Sequence, residues 1–194
     1  MAYLDLYRAV QALGADRIST NWLRERAIAF SEITAVREQW SGAVDAVFLR
    51  GFYIEGPMGP PVPIAAHQAL IVLSRTMCLG AQGEYMRRFI LTKELMHVFD
   101  TEEEKANNKE KFDQQIRRLK DPSAAANQQH QAELKAYWRA LGVLCPEEKR
   151  LEYKALLQED KISWDVVAAS LRIPIAQVRL IMDDKFEQFL EHSM

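Results

Sequence analysis

The five residues Lys93-Glu94-Leu95-Met96-His97 carry the clearest chemical pattern in the chain. On a helix, residues four apart stand on the same face. Two histidines at that spacing can share a zinc ion, and a glutamate beside the first can act as base toward a metal-bound water. This chain keeps the glutamate, Glu94, and the second histidine, His97, but has Lys93 where the first histidine would stand. An ammonium has donors and no lone pair, so it does not ligate metal while protonated. Lysine in water keeps its proton to about pH 10.4. Neighbouring carboxylates reinforce that charge, whereas burial or a nearby cation opposes it.

The ten residues from Arg88 to His97 extend the pattern. They resemble the signature of the ImmA/IrrE-like metallopeptidases, Arg-Phe-Thr-Leu-Ala-His-Glu-Leu-Gly-His. Arg88, Phe89, Leu91, Glu94, Leu95 and His97 match it, while Ile90, Thr92, Lys93 and Met96 depart. A later block adds Glu133, Ala136, Ala140, Val143, Leu144, Cys145 and Pro146, with Tyr137 in place of the usual asparagine. The resemblance spans roughly residues 51–182, with both blocks in the family's order. It implies a zincin-like core in which Glu133 stands at the third zinc-ligand position, and His97 and Glu133 are vestigial metal ligands. Glu94 is then the vestigial general base. Lys93 is expected to take over the charge of the missing metal by neutralising Glu133 or Glu94. Met96 stands where the family has glycine and brings bulk beside the site. Arg88 and His130 are further candidate lining residues, and His130, three before Glu133, is a weak substitute ligand.

The elements that must position these groups follow from hydropathy. Leu4, Leu6, Tyr7, Val10 and Leu13 have helical spacing, and Gly14 closes that helix. A second helix is expected over Thr20 to Trp40, with Trp22, Ala27, Ile28, Phe30, Ile33 and Val36 on its buried side. Residues 46–54 suggest a short strand, the proline-rich stretch 55–63 a stiff connecting loop, and Gln68 to Thr76 a buried strand. The motif helix is expected over Gly83 to Phe99. Asp100 then breaks it, and Thr101 with Glu104 has capping-box spacing. The acidic run Glu102-Glu103-Glu104 fits a first helical turn better than a cation site. A polar exposed helix is expected over Ala106 to Leu119, and Asp121-Pro122-Ser123 reads as the start of the helix that carries Glu133. Another helix begins at Pro146 and runs to about Gln158. Residues 162–190 read as a helix pair joined at Leu171-Arg172-Ile173-Pro174, resembling a helix-turn-helix. Asp183, Asp184, Glu187 and Glu191 follow Gln177 and Arg179, which favours packing over phosphate contact.

Composition sets outer bounds. The chain has 194 residues, a net charge of −2, 48% hydrophobic and 27% charged residues. These values suit an ordinary globular protein, and they supply no global field for nucleic acid or membrane. Cys78 and Cys145 are expected as reduced core thiols. No signal peptide or membrane-spanning run is visible, so a cytoplasmic location is expected. The expected fold is α+β and mostly helical: N-terminal helices over 1–44, a zincin-like peptidase core with a small antiparallel or mixed sheet over 45–146, and a C-terminal helical extension over 147–194, all in one compact unit.

Three functional readings follow. The first is a metal-free, degenerate peptidase that regulates by binding a protein partner, of the kind the resemblance implies: a helix-turn-helix repressor of a mobile element, prophage or stress response. The second is an active zinc endopeptidase with altered ligands that cleaves such a repressor. The third is a DNA-binding regulator using the C-terminal helix pair, ranked last because of the acidic tail.

Overall fold

β3 (Gln68–Ser74) is the strand around which the rest is built. Its residues alternate between two buried layers, as the period-2 geometry of a strand requires. Ala69, Ile71 and Leu73 face the main core, while Leu70 and Val72 join Ile54 and Ile64 in a smaller cluster on the opposite face. β1 (Ala35–Ser41) lies parallel to β3, pairing Ala35 with Gln68 through Ser41 with Ser74. β2 (Gly51–Glu55) lies antiparallel on the other side, pairing Gly51 with Leu73 through Glu55 with Ala69. The sheet is therefore mixed and three-stranded, in the order β1-β3-β2. This computed structural model describes residues 2–44, 46–47, 49–58, 63–77, 80–105 and 128–194.

Helices cover the main-core face. In chain order they are α1 (Ala2–Gln11), α2 (Thr20–Ala29), α3 (Gly80–Leu95), α4 (Gln128–Leu144), α5 (Glu147–Gln158), α6 (Trp164–Leu171), α7 (Ile175–Ile181) and α8 (Phe186–Glu191). The fold is α+β and mostly helical. One hydrophobic cluster runs from Tyr3 and Leu6 on α1, through Phe89 on α3 and Ala140 on α4, to Phe186 and Leu190 on α8. The segments 1–44, 45–146 and 147–194 all contribute to it. Close approaches favour glycine at three described positions, most strictly at Gly56, where a Cβ would stand 2.1 Å from the Ala65 carbonyl oxygen. A Cβ on Gly51 would stand 2.9 Å from Ile90 Cγ2, where β2 meets α3. A Cβ on Gly142 would stand 2.8 Å from Leu190 Cδ1 and 2.9 Å from the Tyr3 hydroxyl.

Several boundaries differ from expectation. The long helix over Thr20 to Trp40 is instead α2 followed by β1. α2 stops at Phe30, and the Ser31 hydroxyl then accepts the Ile33 N–H at 3.2 Å, turning the chain. Beyond it, β-branched Ile33, Thr34 and Val36 favour an extended backbone, and pairing with β3 fixes it. Arg24 on α2 makes an ion pair with Glu38 on β1, which bridges the two elements. The strand expected over 46–54 is shorter and later, beginning at Gly51, with residues 46–47 in a turn.

The motif helix starts at Gly80, three residues early, and its last turn tightens to a 3₁₀ turn over Met96–Phe99. The C-terminal helix pair is a triplet, because the chain breaks between α7 and α8 where Asp183 Oδ1 accepts the Lys185 N–H at 2.8 Å. Arg172, at the end of α6, is left-handed with φ +52° and makes the turn into Pro174. The helix expected over Ala106 to Leu119, the start at Asp121-Pro122-Ser123 and Cys78 lie outside the described residues. Cys145 is a buried free thiol whose burial pushes its pKa up to about 12. Among the described residues, no helix is long and apolar enough to cross a membrane.

Candidate functional site

α3 and α4 pack against each other and bring their charged residues together. Lys93, near the end of α3, turns inward. Its ammonium donates to Glu94 Oε1 at 3.0 Å and makes a short contact to Glu133 Oε2 on α4. Only 13% of the Lys93 side chain is exposed, against 2% for Glu94 and 33% for Glu133. Burial alone would lower the lysine pKa. The charges of Glu94 and Glu133 outweigh it, and the ammonium is held more firmly than in water. Burial pushes the Glu94 carboxyl up, with Glu133 adding to that and Lys93 and His97 opposing it.

His97 sits in the 3₁₀ turn that follows α3, which rotates its ring toward the same cluster. Its Nδ1 donates to Asp100 Oδ2 at 2.6 Å, fixing the ring. Its Nε2 then faces Glu133 Oε1 at 3.5 Å and Glu94 Oε2 at 3.8 Å. Both Nε2 and Glu94 Oε2 are buried without a hydrogen-bond partner. Tyr53 of β2 stacks on the imidazole, with ring centroids 5.8 Å apart. Burial would lower the histidine pKa, but Asp100 and Glu133 raise it to about 9. With His97 protonated and Arg139 included, three cations face three carboxylates in one largely buried cluster, open to solvent on the Glu133 side.

Further polar contacts surround this cluster. Arg139 on α4 reaches Asp100 Oδ1 at 3.5 Å and donates through Nε to the Ser193 carbonyl at 2.7 Å. The Tyr53 hydroxyl donates to Glu55 Oε2 at 3.0 Å, and Lys105 donates to Glu55 Oε1 at 3.0 Å and to Glu102 at 2.7 Å. Lys135 on α4 donates to Glu104 at 2.6 Å, and Glu104 Oε2 accepts the Thr101 N–H at 3.0 Å, the contact expected from their spacing. The acidic run after Asp100 thus lies in a turn, with two of its carboxylates taken by lysines.

The expected site residues divide into two sets. Lys93, Glu94, His97 and Glu133 converge. Met96 is fully buried beside them in sequence. Arg88 lies elsewhere: it is five residues, roughly 140° of helix, from Lys93, and donates to the Ile18 carbonyl at 2.6 Å and the Leu171 carbonyl at 3.1 Å. His130 is exposed near the start of α4. Among the described residues, no group of three or more His, Cys, Asp or Glu side chains is placed to hold a metal ion.

Sequence reasoning missed Asp100, Arg139 and Tyr53. Asp100 was legible as an acid three residues after His97, the spacing of one helical turn. Arg139 and Tyr53 carried no local signal, because their contacts depend on tertiary approach.

In the C-terminal segment, Val167, Ala168, Leu171, Val178 and Ile181 are buried in the main core. The two side chains singled out for base reading are otherwise engaged: Gln177 is buried and donates to the Tyr137 hydroxyl at 3.2 Å, and Arg179 lies over the Trp164 ring at 5.8 Å. Comparison with protein-family models, with curated proteins and with solved structures returned no match.

Proposed function

We propose that the chain is a degenerate, metal-free relative of the ImmA/IrrE-like peptidases, with a zincin-like core, and that it regulates a protein partner by binding it. The carrying observation is the Lys93 ammonium, bonded at once to Glu94 and Glu133. A catalytic zinc centre takes three protein ligands and an open position for water. Here the donor set supplies His97 and Glu133, and the third place belongs to a cation without a lone pair. These residues do not fit zinc, and no hydrolytic step is assigned to them. The fixed His97–Asp100 pair is what a metal-binding histidine ordinarily needs, which is why we read the cluster as derived from such a centre.

The partner class is a helix-turn-helix repressor, as the resemblance implies, held intact and kept from its operator. Two measurements test this. Protein purified without chelators is expected to carry well under about one zinc per chain, whereas Lys93→His completes the ligand set and should take up about one. A co-expressed repressor of this type is expected to co-purify uncut. Stoichiometric zinc in the unaltered protein, or cleavage of the repressor that a chelator abolishes, would overturn this reading.

A further inference from the structure

We infer that a cavity on the opposite side of α3 from the Lys93 cluster is a binding site for a small molecule carrying a di- or triphosphate group. The cavity has a volume of about 480 Å³ and is walled by the loop before α2, by α3 and by the turn between α6 and α7. The walls contribute four arginines: Arg17 from the loop, Arg87 and Arg88 from α3, and Arg172 from the turn. Arg87 lies over the Trp40 ring at 4.7 Å, which leaves Arg17, Arg88 and Arg172 as the three considered below. Arg88 is held rigidly, because its Nη2 and Nε are spent on the carbonyls of Ile18 and Leu171. Those are neutral acceptors, so its charge is left uncompensated. Burial first, and then the charges of Arg17 and Arg172, pull the Arg88 pKa down to about 10. An anion between the three would relieve that repulsion.

Two further features point the same way. α2 begins at this cavity, with Ser19 at its N-cap and no side chain capping its first-turn N–H groups. Helix N-termini favour negative charge for that reason. Of the lining side chains only Glu84 is acidic, and it is exposed.

The multiplicity of arginines selects the ligand. One carboxylate would leave most of the positive charge unmatched, whereas a polyphosphate presents several oxygens to planar guanidinium donors. The volume lies within the usual range for small-molecule sites, and Tyr85 and Leu91 offer an apolar wall for the remainder of the molecule. A recess on a chain of net charge −2 suits a small ligand better than a duplex, which needs an extended basic stripe.

Calorimetric titration of the full chain with inorganic pyrophosphate and with ATP, at fixed ionic strength and with sulfate as control, tests this. Both probes should bind saturably at about one per chain, and Arg17→Gln and Arg172→Asn should each weaken binding about tenfold with the melting temperature unchanged. These exposed positions are chosen because Arg88 also holds the fold together. Absence of saturable binding, binding unaffected by both substitutions, or equal binding of sulfate would overturn the assignment. Arginine-dependent binding of duplex DNA without binding of pyrophosphate would overturn it in favour of a nucleic-acid backbone. None of these outcomes bears on the Lys93 cluster.

Discussion

Lys93 and Arg88 are cations on one helix, and they keep opposite company. Lys93 is enclosed with Glu94, Glu133, His97 and Asp100, so that nearly every charge has a counter-charge within the protein. Arg88 is fixed by two neutral carbonyls and faces Arg17 and Arg172 across an open cavity. In the first case the field is closed on itself, and removing a member leaves a buried charge exposed to its own desolvation cost. In the second the field is left open, and the protein holds repelling groups together by backbone contacts. The first arrangement is what an internal scaffold needs, and the second is what a receptor for anions needs.

Lys93→Met breaks the contrast most severely. It leaves Glu94 buried and unpaired, and should cost about 3–5 kcal/mol in urea unfolding. Adding Glu94→Gln to Lys93→Met should recover much of that loss, since removing both partners is cheaper than removing one. A loss below about 1 kcal/mol for Lys93→Met would mean the cluster is solvated.

The next effect is on pH dependence. The folded pKa of His97, about 9, exceeds its unfolded value near 6.5. Its contribution is therefore complete below about pH 6.5 and is lost as pH rises through 9, up to about 3 kcal/mol in total. Glu94, whose pKa burial raises, also favours the lower pH. Asp100→Asn should flatten the histidine part of this slope in denaturation curves measured between pH 6 and 10. An unchanged slope would remove Asp100 from its assigned role.

Arg88→Met should cost about 2 kcal/mol, because it unties two backbone carbonyls rather than baring a buried charge. The smallest expected effect is that of Arg17→Gln or Arg172→Asn, within about 0.5 kcal/mol of the parent. A stabilisation measurable on losing either charge, and cancelled by high salt, would sharpen the case that they repel Arg88.

The parts of the fold legible in the sequence are those whose cause is local. The α1 periodicity, the apolar run of β3, the motif helix and the start of α5 after Pro146 all announce themselves within a dozen residues. β1 did not. Its mixed charges mimic a helix's wet face, and what makes it a strand is β3, more than thirty residues later in the chain. The break after α7 is marked by one Asp183 side chain, which accepts the Lys185 N–H in the turn before α8. In the site, Lys93, Glu94 and His97 were legible from motif spacing and Glu133 only through the family resemblance, whereas Arg139 and Tyr53 were not legible, because nothing near them in sequence marks their partners. Arg88, a candidate lining residue by its place in the motif, reaches the Ile18 and Leu171 carbonyls instead: a motif match fixes a position in the chain but not the direction in which a side chain leaves the helix.

The long-range ties also bear on how the molecule is made. The Tyr3 hydroxyl finds its acceptor on Arg139, Arg88 finds one on Leu171, and Arg139 finds one on Ser193. A ribosome delivers these acceptors only after most of the chain has emerged. Until then water fills those donors, and these contacts close only as the later helices arrive, each at the entropic cost of a long loop.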